Sequence, residues 1–246
     1  MIKLSHISTL PPEDLDKEVI EENTPELVKK IGELSRAFEA DGSHALLIVL
    51  QGMDGSGKDG TARVVFQDIS PGVVCSYAFK KPTPDEMAHD FLWRVHQVVP
   101  GKGKIRVFNR SHYEDVLIQR VHKWIDEDRV KKRMDAINNF ENILSFDNNT
   151  TILKFYMHLS REKQVEKLQE RMSDPQKAWK HNPNDLIESE LWVEYMKAYE
   201  DVLNQSSIPW HIVPSEKQWY RNYYVAKTVL KTLEDMKLRY PPLKNE

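Results

Sequence analysis

"GMDGSGKDG" runs from Gly52 to Gly60, directly after the apolar run "ALLIVLQ" of Ala45 to Gln51. An apolar run without alternation is what a parallel strand covered on both faces requires. The turn after it fits the start of a phosphate-binding loop, G-x-x-x-x-G-K, with Gly52, Gly57 and Lys58 at the defining positions. In such a loop the backbone around Gly55 and Ser56 turns its N–H groups inward as an anion nest, and the lysine neutralises phosphate charge. The bland alternative is a glycine-rich turn that happens to precede a lysine; a strand before and a helix after favour the phosphate loop. The pattern breaks at the next residue. Ser or Thr normally stands there and its hydroxyl holds Mg²⁺, but this chain has Asp59, with a second carboxylate, Asp54, inside the loop.

A carboxylate beside a polyanion is repulsive unless a divalent cation lies between them. Asp54 cannot easily point away from a tight loop, so metal or proton chemistry is expected there. Asp59 is expected to face solvent from the first turn of the following helix, where the macrodipole favours an acid; metal binding is its alternative. The second signal is "VFNRSHYEDVL", Val107 to Leu117. Nucleotide-handling phosphate-loop proteins usually end this strand with an Asp that supports Mg²⁺, and here Asn109 takes its place. One carboxylate is lost at the strand while one appears in the loop, so Asp54 is read as supplying it. Arg110 is placed for phosphate, with an internal salt bridge to Glu114 or Asp115 as the competing reading.

The rest of the chain supports an α/β organisation. Strands are expected at Val73 to Phe79, Lys104 to Asn109, Thr150 to Leu159 and Pro209 to Val213, alternating with helical patterns, which implies a parallel doubly wound sheet. Residues 1–23 are expected to wrap the surface without a regular element, and Thr24-Pro25 to cap and open the first helix. "TPDEMAHDFLWRVHQVV" starts with a capping box, Thr83 with Glu86, and predicts a helix burying Met87, Phe91, Val95 and Val98. A last helix is expected behind Ser215 as cap with Gln218; its Trp219, Tyr223 and Ala226 are read as core. Between the fourth and fifth strands, residues 161–203 carry two helical patterns joined by a charged stretch, a candidate lid. Arg171, Lys177 and Lys180 are its candidate phosphate contacts, and Trp179 is read as packing it. Lys80 and Lys81 follow the second strand, where open α/β sheets bind ligands; they are read either as lining a donor channel or as an exposed basic pair.

Composition sets the outer bounds. The 246 residues are 40% hydrophobic and 30% charged, with a net charge of −3, which argues against a nucleic-acid binder with a wholly basic face but leaves room for a local basic channel. The single cysteine, Cys75, excludes an intramolecular disulfide and suggests a reducing compartment. The acidic N-terminal segment does not read as a targeting peptide, and no apolar stretch reaches the roughly 18 residues of a membrane helix. A soluble cytoplasmic protein is expected, with no membrane and no nucleic-acid partner. The nine histidines are scattered, without close His/Cys spacing for a metal cage.

Together, "GMDGSGKDGT", "FKKPT", "FNRSHYEDVL", "NNFENIL", "LKFYMHLSREKQ", "DPQKAWKHNPND", "WVEYMKAYEDVL" and "WHIVPSEKQWYRNYYVAK" resemble the polyphosphate kinase 2 family over about Thr24 to Leu233. The family's usual strand motif is F-D-R-S-W-Y-N-R. The F-N-R-S-H-Y-E-D form is similar to its class III branch, which phosphorylates both nucleoside mono- and diphosphates. The resemblance implies a three-layer α/β/α phosphate-loop kinase with a helical lid, one domain over 1–246. It implies transfer of the terminal phosphoryl of inorganic polyphosphate to AMP and ADP (GMP and GDP being further acceptors), reversibly from ATP. Mg²⁺, or Mn²⁺ in its place, is the implied cofactor and a homo-oligomer the implied assembly. By the same resemblance Asp54 takes the metal or proton role, Lys58 and Arg110 bind phosphate, and Arg120 matches a motif arginine although Gln119 replaces the acid before it. Glu114, where the class III pattern differs most in charge, is the candidate for adjusting nucleotide acceptance. Two rivals remain: an ATP-dependent nucleoside monophosphate kinase, which should carry Ser or Thr after Lys58, and a polyphosphate- or nucleotide-binding regulator without turnover.

Overall fold

The computed structural model describes residues 1–176, 178–180, 182 and 184–242, with Lys180 described by its backbone. Five parallel strands, β1 (Ala45–Gln51), β2 (Val74–Tyr77), β3 (Ile105–Asn109), β4 (Thr150–His158) and β5 (Trp210–Pro214), lie in the order β2-β3-β1-β4-β5. β1 is central and every one of its residues is buried. Its alternate side chains feed two cores. Leu47 and Val49 pack with one cluster, and Leu46, Ile48 and Leu50 with the other, as the pleat dictates.

Helices α1 (Lys17–Asp41), α2 (Lys58–Val65) and α10 (Gln218–Asp235) cover one face, contributing Val28, Ile31, Val65, Val225 and Val229. On the other face α5 (Glu114–Val121), α6 (Glu127–Asn148) and α9 (Trp192–Gln205) supply Val116, Leu117, Ile137, Phe140, Tyr199 and Val202. The one-turn helices α3 (Pro84–Met87) and α4 (Trp93–His96) lie between β2 and β3, while α7 (Arg161–Ser173), a 3₁₀ turn at Ala178–Lys180 and α8 (Asn184–Glu190) lead into α9. Among the described residues no helix is long and apolar enough to cross a membrane.

Three expectations need correction. The first helix starts at Lys17, not at Thr24. Asp16 caps it by accepting from the Glu18 and Val19 N–H groups, and Pro25 lies inside. The acidic run that looked like a coil is its exposed first part, where only Ile20 and Thr24 are buried before Val28; Thr24 turns its hydroxyl to the Ile20 carbonyl at 2.7 Å. Residues 4–6 also form a 3₁₀ turn, and Leu4 is buried with its N–H on Glu200 of α9 at 2.8 Å. Second, the capping box Thr83–Glu86 is present, but its helix ends after one turn. Asp90 resets the chain by accepting from the Leu92 N–H at 2.9 Å, offering the backbone an alternative to the helical bond. Val95 is fully buried as expected, whereas Met87 is left 68% exposed. Third, Lys217 stands at the start of α10 without a side-chain cap. Ser215 turns its hydroxyl back to the Val213 carbonyl. The buried stripe of α10 contains Ala226 as expected, with Trp219 and Tyr223 only half-buried.

Candidate active site at the carboxyl ends of β1 and β3

The site follows from the register. Leu50 and Asn109 are partners across β1 and β3, so the loop after β1 and the turn after β3 stand side by side although about sixty residues of chain separate them. Arg110 donates its N–H to the Leu50 carbonyl at 3.0 Å and adopts φ 63°. That left-handed conformation is uncommon for a side chain of this size. It returns the guanidinium over the phosphate loop, where it pairs with Asp54. The salt bridges to Glu114 or Asp115 therefore do not form: Glu114 accepts from the Gln51 amide, and Asp115 pairs with the buried Arg94 at 2.8 Å.

Within the loop, Gly52 and Gly57 are positions only glycine fits. Gly57 has φ 90°, and a Cβ there would lie 2.3 Å from Cζ of Arg221; one at Gly52 would meet the Met157 carbonyl at 2.8 Å. Ser56 is fully buried and closes the turn through its N–H on the Met53 carbonyl. Gly55 lies on the wall of the cavity above. Lys58 folds inward, its Nζ donating to the carbonyls of Gly52 at 2.6 Å and Met53 at 3.0 Å. Burial lowers the Lys58 ammonium to about 8, with Asp54 acting in the opposite sense. Burial acts to raise the Asp54 carboxyl, but the Lys58 and Arg110 cations outweigh it and hold the group below its usual range, so it is ionised near neutral pH. Glu114 shows the reverse balance: burial raises it despite Arg110 and Gln51.

Asp59 is exposed in the first turn of α2, but it does not simply face water. The Asn109 amide donates to its carboxylate. The residue that replaces the strand-end acid thus holds the residue that replaces the loop hydroxyl.

Two cavities open here. The larger, about 1600 Å³, is lined by Lys58, Lys163, Lys167, Arg171, Lys217 and Arg221, and also by Asp54, Asp59, Asn109 and Arg110. The smaller, about 440 Å³, is lined by Phe79, Trp124, Tyr195 and Tyr199 together with Glu114, Gln119 and Glu188. Asp54, Lys80, Arg110, Asn182 and Asp185 border both. The Asp54–Arg110 pair is thus shared by both cavities.

Lys80 and Lys81 are exposed; the first lines both cavities and the second the smaller one. Arg171 lies on the larger and donates to Asp185 at 3.1 Å, linking α7 to α8. Arg120 borders neither. It is spent on Glu127 and on Asp201 of α9, at 2.6–2.7 Å, because it projects from the last turn of α5 toward α6 and α9. Trp179 is 78% exposed on the wall of the larger cavity, which corrects the expectation that it packs inside the excursion. Lys177 and the side chain of Lys180 lie outside the described residues.

Arg221 is the residue that sequence reasoning missed. It is only 7% exposed, and its hydrogen bonds go to neutral oxygens, Thr61 Oγ1 at 2.8 Å and the Ser215 carbonyl at 2.9 Å. Burial lowers it to about 10. Its signal was an arginine one turn before Val225, on the apolar stripe of α10, where a cation without purpose is costly.

Such a fold and site define a phosphate-loop phosphotransferase. Within that class, the chain belongs to the polyphosphate kinase 2 family, whose model matches residues 14–241. It is 44% identical over 218 residues to the AMP/ADP-polyphosphate phosphotransferase of Meiothermus ruber, covering 87% of this chain and 81% of that one. It is 37% identical to the ADP-polyphosphate phosphotransferase of Rhodopseudomonas palustris, covering 87% and 79%. The crystal structure of polyphosphate kinase 2 from Arthrobacter aurescens TC1 superposes with a TM-score of 0.95 at 36% identity, over 100% of this chain and 89% of that one.

Proposed function

We propose that this protein transfers the terminal phosphoryl of inorganic polyphosphate to nucleoside mono- and diphosphates, AMP to ADP and ADP to ATP, reversibly. The observation that carries the reading is the sharing of Asp54 and Arg110 by a cation-lined cavity and an aromatic-lined one. A chain polyanion suits the first and a nucleoside the second. Phosphoryl transfer needs positioning and charge neutralisation more than covalent chemistry, and Lys58, Arg110 and Arg221 supply positive charge on the donor side. The names of the Meiothermus and Rhodopseudomonas relatives support AMP and ADP as acceptors. Glu114, at the edge of the smaller cavity, is the group we assign to adjusting which acceptor is taken.

The donor set suits Mg²⁺. Among the described residues no cluster of three or more His, Cys, Asp or Glu forms an all-protein metal cage. An ionised Asp54 with Asp59 on the lining of the same cavity offers the one or two carboxylates with which Mg²⁺ is usually held beside substrate phosphates. The cation would neutralise phosphate oxygens. Arg110 orients the phosphoryl at the junction, and Lys58 binds it from the loop.

The test is incubation of purified protein with AMP or ADP, Mg²⁺ and polyphosphate in the absence of ATP. ADP and ATP are expected to form. Robust AMP phosphorylation by ATP, with none by polyphosphate, would move the assignment to the monophosphate kinases.

Two further results are expected. Because burial places the Lys58 pKa near 8, its charge is present below that value and lost above it. Affinity for polyphosphate should therefore fall as pH rises, with kcat/KM for polyphosphate dropping about tenfold per unit above about pH 8. A profile flat to about pH 10 contradicts the role of Lys58. We also read α7 and α8 as a lid whose closure excludes water from the phosphoryl group; α9, the last part of the 161–203 excursion, buries Ala198, Tyr199 and Val202 in the core and is its fixed base. Arg171→Ala should lower turnover about tenfold or more with little change in Tm, since positioning contributes through the transition state and not through the core. Hydrogen exchange across α7 and α8 that is equally slow with and without both substrates counts against the lid.

A further inference from the structure

Beneath the β3–α5 turn lies a charged network sealed from solvent. Lys154 of β4, Glu141 of α6, and His112 and Tyr113 of the turn are each fully buried. Lys154 Nζ donates to Glu141 Oε2 and to the Tyr113 hydroxyl, both at 2.7 Å. The Tyr113 hydroxyl donates to Glu141 Oε1 at 2.9 Å, and His112 Nε2 faces the same oxygen at 3.3 Å. On its far side the hydroxyl lies 3.3 Å from Ser206 Oγ, a polar packing contact, since the Ser206 proton goes to the Val202 carbonyl at 2.8 Å. Ser206 is the C-cap residue of α9, and its oxygen also accepts from the Trp210 indole at 2.8 Å.

A buried ion pair is weak evidence for stability, because desolvation offsets most of its attraction. Its place here is informative. Tyr113 is three residues from Arg110, whose left-handed backbone is the kind of conformation that persists only where its surroundings over-determine it. From above, Gln51 clamps the same turn, accepting from Ser111 at 3.2 Å and donating to Glu114, while the Ser111 hydroxyl accepts from the Tyr113 N–H. From below, the phenol is the link to the network. α9 also carries Tyr195 and Tyr199, which line the smaller cavity. One hydroxyl therefore touches the support of the arginine turn and the end of a helix that forms the acceptor wall.

We propose that Tyr113 is a positioning residue: its hydroxyl holds the Arg110 turn in register and couples it to the C-terminal end of α9. This rests on the reading of Arg110 as the phosphoryl-orienting group, so the experiment separates the two. Glu141 and Lys154 are poor targets, since removing either strands a buried charge. Tyr113→Phe removes one oxygen and leaves their pair intact.

The measurement is a double-mutant cycle of Tyr113→Phe and Arg110→Ala, reading kcat, both KM values and Tm for ADP phosphorylation by polyphosphate. Tyr113→Phe alone is expected to lower kcat about tenfold with KM within about twofold. In the Arg110→Ala background, itself slow, it should lower kcat no further, because coupled residues are not additive. Equal fractional losses in both backgrounds, or a lowered Tm with kcat unchanged, overturn the coupling and leave a structural hydroxyl. A near-wild-type Arg110→Ala enzyme overturns the reading of Arg110 and the proposal with it. If Tyr113→Phe does not fold, Ser206→Ala, which removes the α9 contact of the same hydroxyl, takes its place in the cycle with the same expected non-additivity. An additive result there overturns the proposal equally.

Discussion

Asp54→Asn is expected to lower polyphosphate-driven ADP phosphorylation by about two to three orders of magnitude, the usual loss when one transition-state electrostatic contact is removed. The protein should remain folded, because Asn keeps the size and an acceptor for Arg110. What it loses is charge. Asp54 is ionised because Lys58 and Arg110 hold it below its usual range, and a hard divalent cation requires that charge. The same substitution leaves Lys58 and Arg110 less compensated, so KM for polyphosphate should not rise. Loss of kcat without loss of donor affinity separates Asp54 from Lys58, whose replacement by Ala should weaken both. Asp59→Asn should cost much less, since its partner Asn109 donates a hydrogen bond that an amide oxygen still accepts. The comparison is a Mg²⁺ titration of the three variants. A dead Asp59→Asn enzyme beside a nearly wild-type Asp54→Asn enzyme would assign the metal to the other carboxylate.

Gly57→Ala should damage both the stability of the protein and its hold on the donor. At φ 90° an L side chain is strained, and its Cβ would stand 2.3 Å from Arg221 Cζ and 2.4 Å from one of its terminal nitrogens. Strain of this kind costs on the order of 1–3 kcal/mol, which for a chain of this size corresponds to a Tm lower by about 2–12 °C. Arg221 cannot yield cheaply: it is buried and bonded to Thr61 and to the Ser215 carbonyl. Either the loop opens or the guanidinium leaves its seat, and in both cases KM for polyphosphate should rise at least about tenfold, given the worth of a charge-assisted contact. Differential scanning calorimetry and steady-state kinetics check the two parts. An unchanged Tm with an unchanged KM would mean that neither the backbone angle nor the Arg221 contact matters.

What could be read from the residues and what could not follow a physical divide. β1, the glycines at 52 and 57 and Lys58 are contiguous, so hydrophobic pattern and spacing placed them correctly, and the alternation of strands with helices gave the parallel sheet. The pairing of Arg110 with Asp54 depends on the register of Leu50 with Asn109, a contact that no local pattern encodes. Without it, Glu114 and Asp115 were the natural partners to consider for Arg110. Asp59 was read from the helix macrodipole, with metal binding as the alternative, and the Asn109 amide that holds it comes from the end of β3. Arg120 looked available because its acids, Glu127 and Asp201, lie 7 and 81 residues away. Arg221 was hidden by its aromatic neighbours. The capping box at Thr83 and the acid at Asp16 show the same limit from the local side: real caps mark where a helix begins, but packing and competing side chains decide how far it runs.

The central claim is that a phosphoryl group passes from the cation-lined cavity to a nucleotide in the aromatic one across the Asp54–Arg110 junction. The most direct measurement uses ³²P-labelled polyphosphate, unlabelled ADP and Mg²⁺, with no other phosphoryl source. The account predicts label in the γ position of ATP, appearing in step with shortening of the chain and abolished in Asp54→Asn. Label released only as inorganic phosphate, or ATP formed without label, would contradict it.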